Sequence, residues 1–198
     1  MTFWSRFTWA VATCAIVVLA SGCASWISGE SANTDLEVLQ SVLSPLIEPL
    51  GSKYVVASAE LHAMTIDNEW LALHRSELER YAGDDLTSML ADYRDRNVEG
   101  LLPAHLEGPR VRLVTREHLD RIFTRGDALG GWKRFWATYP DSSAMIELSL
   151  PGYSKRKDRA ILSYFISRGS TAGEAMVVLL HYDSRAWSVK WSEILFET

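Results

Sequence analysis

From Ala144 onward the apolar residues of this chain change period from 3.6 to 2, and that change constrains the fold more than anything before it. Ala144, Ile146, Leu148 and Leu150 alternate with polar neighbours, the pattern of a strand with one buried face. Residues 151–158 read as a turn. Residues 159–168, 174–182 and 186–196 read as three further strands, joined by Gly169-Ser170-Thr171-Ala172-Gly173 and by Asp183-Ser184-Arg185. Loops this short join only antiparallel neighbours, so the C-terminal third is expected to be a β-meander of about four strands.

The preceding residues read mainly as helices. Thr34-Asp35-Leu36-Glu37 is a capping-box pattern, followed by Leu36, Leu39, Leu43, Leu46 and Leu50 at helical spacing, with Pro45 and Pro49 expected to end or kink that helix. Residues 53–66 read as a strand and 67–99 as acidic helix, with a second capping box at Ser76-Glu77-Leu78-Glu79. Asp84 or Asp85 can cap a helix whose stripe is Leu86, Met89, Leu90 and Tyr93, ending near Asn97 and Gly100. Residues 111–114 read as a short strand and Thr115 as the cap of the helix carrying Leu119, Ile122 and Phe123. Residues 126–131 read as a loop. Trp132, Phe135, Trp136 and Tyr139 then form one aromatic helix face, stopped by Pro140, whose plain reading is core and whose sharper one is a ligand platform. Helices first and a meander last, without alternating βαβ units, make the expected fold α+β: N-terminal helices packed on a C-terminal antiparallel meander, as a single domain over residues 35–198.

The start of the chain is of a different kind. Arg6 is the sole charge before Glu30, and residues 7–20 are uncharged and largely apolar, too short for a comfortable membrane span but fitting a signal-peptide core. Residues 1–22 resemble a bacterial lipoprotein signal peptide on the strength of Ser21-Gly22-Cys23, although Ala20 stands where Leu is more usual. The resemblance implies cleavage before Cys23, lipid (palmitate among its acyl chains) on that residue, and a tether over 23–34. Ala24, where an Asp often retains such proteins at the inner membrane, leans towards an outer-membrane address facing the periplasm. The alternatives are an uncleaved anchor or an ordinary secretory signal. Trp26 and Ile27 could dip into the membrane interface beside the lipid.

Residues 130–191 also resemble a group of uncharacterised bacterial proteins, many of them expected lipoproteins. The resemblance rests on Gly131-Trp132, Phe135, Tyr139-Pro140, Ser142-Ser143, Ile146 to Ser149, Ala160 to Tyr164, Gly173, Val178 to Leu180 and Trp187-Ser188-Val189. It departs at Leu150-Pro151-Gly152-Tyr153. It implies a fold and no catalytic residue.

Chemistry is sparsely signalled. The only two cysteines, Cys14 and Cys23, precede the body, which excludes a disulfide scaffold or a cysteine zinc site there. A net charge of −5 argues against a general nucleic-acid binder. No two of His62, His74, His105, His118 and His181 lie within four residues of each other, so no metal or other cofactor is expected. His181, Asp183 and Ser184 resemble triad material only superficially, and Ser170 lacks a nucleophile elbow. Glu60, Asp67 and Glu69 are possible paired carboxylates. The candidate binding residues are Trp132, Trp136 and the basic run Lys155, Arg156, Lys157, which could meet anionic headgroups. The leading expectation is a non-enzymatic, lipid-anchored envelope protein that binds or scaffolds an envelope protein or ligand. The rival is a small envelope hydrolase using convergent His62, His118 and His181 with carboxylates.

Overall fold

The computed structural model describes residues 34–47, 54–124 and 126–197. The expected leader, Cys23 and most of the tether lie outside the described residues, as does Pro49.

Residues 34–47 are helical (α1) and bury Val38, Leu39, Val42, Leu43 and Ile47, leaving Leu36 and Leu46 at the margins. The helix runs past Pro45, which is exposed, so this proline does not end it. Then follow β1 (Tyr54–Ser58), α2 (Asn68–Ala82), α3 (Leu86–Arg96), β2 (Val111–Val114), α4 (Arg116–Ile122), α5 (Ala128–Thr138), β3 (Ser142–Leu148), β4 (Gly152–Tyr153), β5 (Arg159–Ser167), β6 (Gly173–Tyr182) and β7 (Trp187–Glu197). These strands make one mixed sheet of order β2-β1-β3-β5-β6-β7, with β4 added to β5.

The fold is α+β, but it departs from the expected helices-then-meander order. β1 pairs parallel with both β2 and β3. Parallel neighbours need long crossovers, and here α2–α3 and α4–α5 supply them. The physical reason is visible in β1, where Val55, Val56, Ala57 and Ser58 are all buried: a short strand covered on both faces shows no alternation to announce its role. Strand structure there stops at Ser58, well short of Ile66.

The meander itself matches closely. β3, β5, β6 and β7 pair antiparallel in sequence order. The turn after Leu150 contains β4, whose Gly152 lies so close to α3 that a Cβ would sit 2.4 Å from Met89 O and Tyr93 N.

Helices cover both faces. α1 packs on one, over Val55, Ala57, Ile146, Leu148, Leu162, Ile166, Val178 and Leu180. The other carries two separate layers: α2 and α3 over Ile161, Val177, Leu179 and Trp191, and α4 and α5 over Val56 and Met145. Capping corrects two readings. Asp67 accepts from Trp70 N at 2.7 Å and starts α2, placing the expected box at Ser76–Glu79 inside the helix. Asp127 accepts from Gly130 N at 2.9 Å, so residues 128–131 are the first turn of α5 rather than loop. Thr115 caps α4 as expected, accepting from His118 N.

Candidate functional site

Cross-strand partners share a face of a sheet. The register Glu147–Phe165–Ala175–Phe196 therefore sets one row across β3, β5, β6 and β7, on the face bearing the two helical layers. This row lies between those layers and neither covers it fully: Phe165 is half-buried and Phe196 is 44% exposed, their rings stacked at 6.0 Å. Leu195, at a bulge in β7, joins them.

The opposite wall is the segment after β1. His62 N donates to Leu148 O at 2.9 Å and Met64 N to Ser163 Oγ at 3.1 Å. Tyr93 Oη donates to Met64 O at 3.0 Å and lies 2.7 Å from Ser163 Oγ. Burial raises the Tyr93 phenol above its ordinary pKa, so this ring of bonds stays neutral. The result is a cleft of about 480 Å³ lined by His62, Ala63, Met64, Thr65, Asp67, Trp70, Leu195 and Phe196.

A charged cluster closes one end. The Glu147 side chain is only 8% exposed, and its carboxylate accepts from Arg116 Nη1 at 2.8 Å, with His62 Nδ1 at 3.3 Å. Arg116 Nη2 also lies 3.1 Å from the same His62 Nδ1. That nitrogen cannot serve both: protonated it donates to Glu147, unprotonated it accepts from Arg116. Glu60 accepts from Arg116 N at 2.7 Å and from Ser58 Oγ at 3.2 Å. Glu60 and His62 follow the carboxyl end of β1, Arg116 follows that of β2, and Glu147 lies near the carboxyl end of β3. The onward connections of parallel β1 and β3 leave in opposite directions, one to β2 and the other to β5. Open sheets place ligands at such switch points.

Of the residues singled out in the sequence, the structure brings together Glu60 and His62, and sets Asp67 on the cleft wall. Glu69 is exposed in the first turn of α2. His118 stands elsewhere, 6.2 Å from the Tyr139 ring, and His181 donates from Nε2 to Tyr81 O at 2.7 Å. Asp183 accepts from Arg185 N and Ala186 N, bonds that close the hairpin and hold its carboxyl below the usual range. Ser170 lies in the β5–β6 loop. Trp132 is buried against Phe123 and Phe135, at 5.2 and 5.1 Å, and Trp136 is half-buried beside them, so this aromatic face packs as core. Lys155, Arg156 and Lys157 are exposed on a turn, Arg156 lying 3.7 Å from Asp158.

Sequence reasoning missed Glu147, Arg116, Phe165 and Phe196. Glu147 is the one acid in an otherwise uncharged strand, a signal read as an outward polar position. Comparison with family models, curated proteins and solved structures finds no significant match. Among the described residues, no helix is long and apolar enough to cross a membrane.

Proposed function

We propose that this chain is a lipid-anchored bacterial cell-envelope protein, held through Cys23 at the periplasmic side of the outer membrane, and that it works as a binding module. Its ligand is a small amphipathic molecule or segment that lays an apolar part on Phe165, Phe196 and Trp70 and presents a polar end to Arg116 and His62. The observation that carries this reading is the cleft, where an exposed aromatic floor ends in a partly buried ionic cluster. Apolar walls with a few convergent polar groups are the usual make-up of a ligand site. The lipid would supply anchoring at about 0.8 kcal/mol per buried CH₂ without a spanning helix.

Two experiments test it. Cys23→Ala should abolish acyl labelling and move the protein from the membrane to the soluble fraction; native-level membrane retention would contradict the anchor. Mass spectrometry of what co-purifies should find a species with the wild type that is lost from Phe196→Asp and Arg116→Ala. Identical profiles for all three would contradict the cleft.

A second reading, a small envelope hydrolase, is favoured by the His62–Glu147 pair, since a carboxylate beside an imidazole is how a general base is oriented. His118 and His181 share no partner with His62, which narrows this reading to His62 alone. Single replacement of His62, His118 and His181 separates the two readings: a phenotype confined to His62→Gln with ligand binding intact would favour hydrolysis.

A further inference from the structure

Beside Trp70, three metal-ligating side chains converge from two elements. His74 and Glu77 are three residues apart on α2 and so share a face. Glu193 comes from β7. One ligand atom from each lies within 4.8 Å of the others.

We propose that His74, Glu77 and Glu193 form a binding site for a divalent transition-metal cation of the Zn²⁺ type, which staples α2 to the edge strand β7. Metal–ligand bonds of about 2.0–2.2 Å require donors somewhat closer than they stand here, a gap that small rotations of the exposed Glu77 and half-buried His74 and Glu193 side chains close. The outer shell is already present. Trp191 Nε1 donates to Glu77 Oε2 at 3.1 Å, fixing that carboxylate and leaving its other oxygen for a metal. The His74 ring lies 4.5 Å from that of Trp70 and 6.3 Å from that of Trp191.

Charge supplies a second, independent argument. Among the described residues neither Glu77 nor Glu193 forms an ion pair, whereas the neighbouring Glu79 is held by Arg75 at 2.7 Å. Two carboxylates therefore meet beside an imidazole, and among the described residues no Lys or Arg pairs with either, which leaves their oxygens open to a divalent cation. One nitrogen and two oxygen donors suit Zn²⁺ or Co²⁺ better than a thiolate-seeking ion, and three protein ligands leave a position for water. The consequence reaches the cleft, because Trp70 Nε1 donates to Ile194 O at 3.1 Å and Trp70 and Leu195 both line it. The site stands independently of what the cleft binds.

The test is calorimetric titration of the chelator-stripped full chain with Zn²⁺ alone. Saturable one-to-one uptake is expected, weakened at least about tenfold in H74A, E77Q and E193Q, since even outer-shell changes cost 10–100-fold. A Co²⁺-loaded sample should show a visible absorption band that E193Q, nearly isosteric and partly exposed, removes without altering circular dichroism. No saturable uptake, or wild-type affinity in H74A and E193Q, overturns the proposal.

Discussion

The two halves of the sheet are built by opposite rules. In the antiparallel half, β3 to β7, each strand finds its partner across a short loop, so pairing is local and register is set by the hairpins. In the parallel half, β1 sits between β2 and β3; its pairing with β2 spans α2 and α3, and its pairing with β3 spans everything from α2 to α5. The two halves are also roofed separately, by α2–α3 and by α4–α5. The cleft lies beside the seam between them and meets it at His62, whose Nδ1 faces Glu147 at 3.3 Å. One wall of the site is the irregular segment that follows β1, and the other is the end of β7.

The comparison is broken most severely by removing a roof. Phe135, on α5, is fully buried, and Phe135→Ala should cost about 3–5 kcal/mol in urea unfolding. Hydrogen exchange should rise in β1 and β2 while β5 and β6 stay protected; uniform acceleration would show that the halves are one cooperative unit. Gly152→Ala attacks the other half. The added methyl meets α3 backbone, and a loss of about 3 kcal/mol is expected, with exchange rising first in α3 and β4.

Arg116→Ala acts at the seam itself, stranding the Glu147 carboxylate for about 1–3 kcal/mol. Arg116→Ala with Glu147→Gln should recover part of that loss. A double variant no more stable than the single one would mean that the ion pair does not hold the seam. Asp67→Ala removes the cap of α2 and should cost about 1 kcal/mol, read by thermal unfolding.

Alkali sharpens the contrast most gently. Burial raises the phenols of Tyr93 and Tyr153 in the antiparallel half, with Asp35 adding to the shift of Tyr153, and pushes Tyr164 up to about 12. Such groups release protons more readily when unfolded. Their contribution is intact below pH 10 and lost as pH rises beyond it. Absorbance at 295 nm should show these phenols ionising only as the fold melts, and ionisation before unfolding would contradict their burial.

How much of this was legible in the sequence follows the same division. Residues 159–168 and 174–182 read as strands, and β5 and β6 fall within a residue of them at each end, because long apolar runs bounded by short polar loops are local signals. The strand and helices of the parallel half were each sensed, yet not their order in space. Val55, Val56 and Ala57 carry no alternation, and nothing near them names Val111 or Met145 as neighbours. The site shared that fate. Glu60 and His62 were visible as candidates, but Glu147 and Arg116 acquire meaning only once β3 and the start of α4 are brought beside them.

The central claim, that the cleft beside the seam is where this protein binds, is tested most directly by photo-crosslinking in cells. A photoreactive residue at Phe196, on the cleft wall, is compared with one at Val98, which is 78% exposed and outside the cleft lining. The account predicts a discrete adduct from position 196 that Arg116→Ala diminishes, and none from position 98. Equal labelling at both positions, or none at 196, would contradict it.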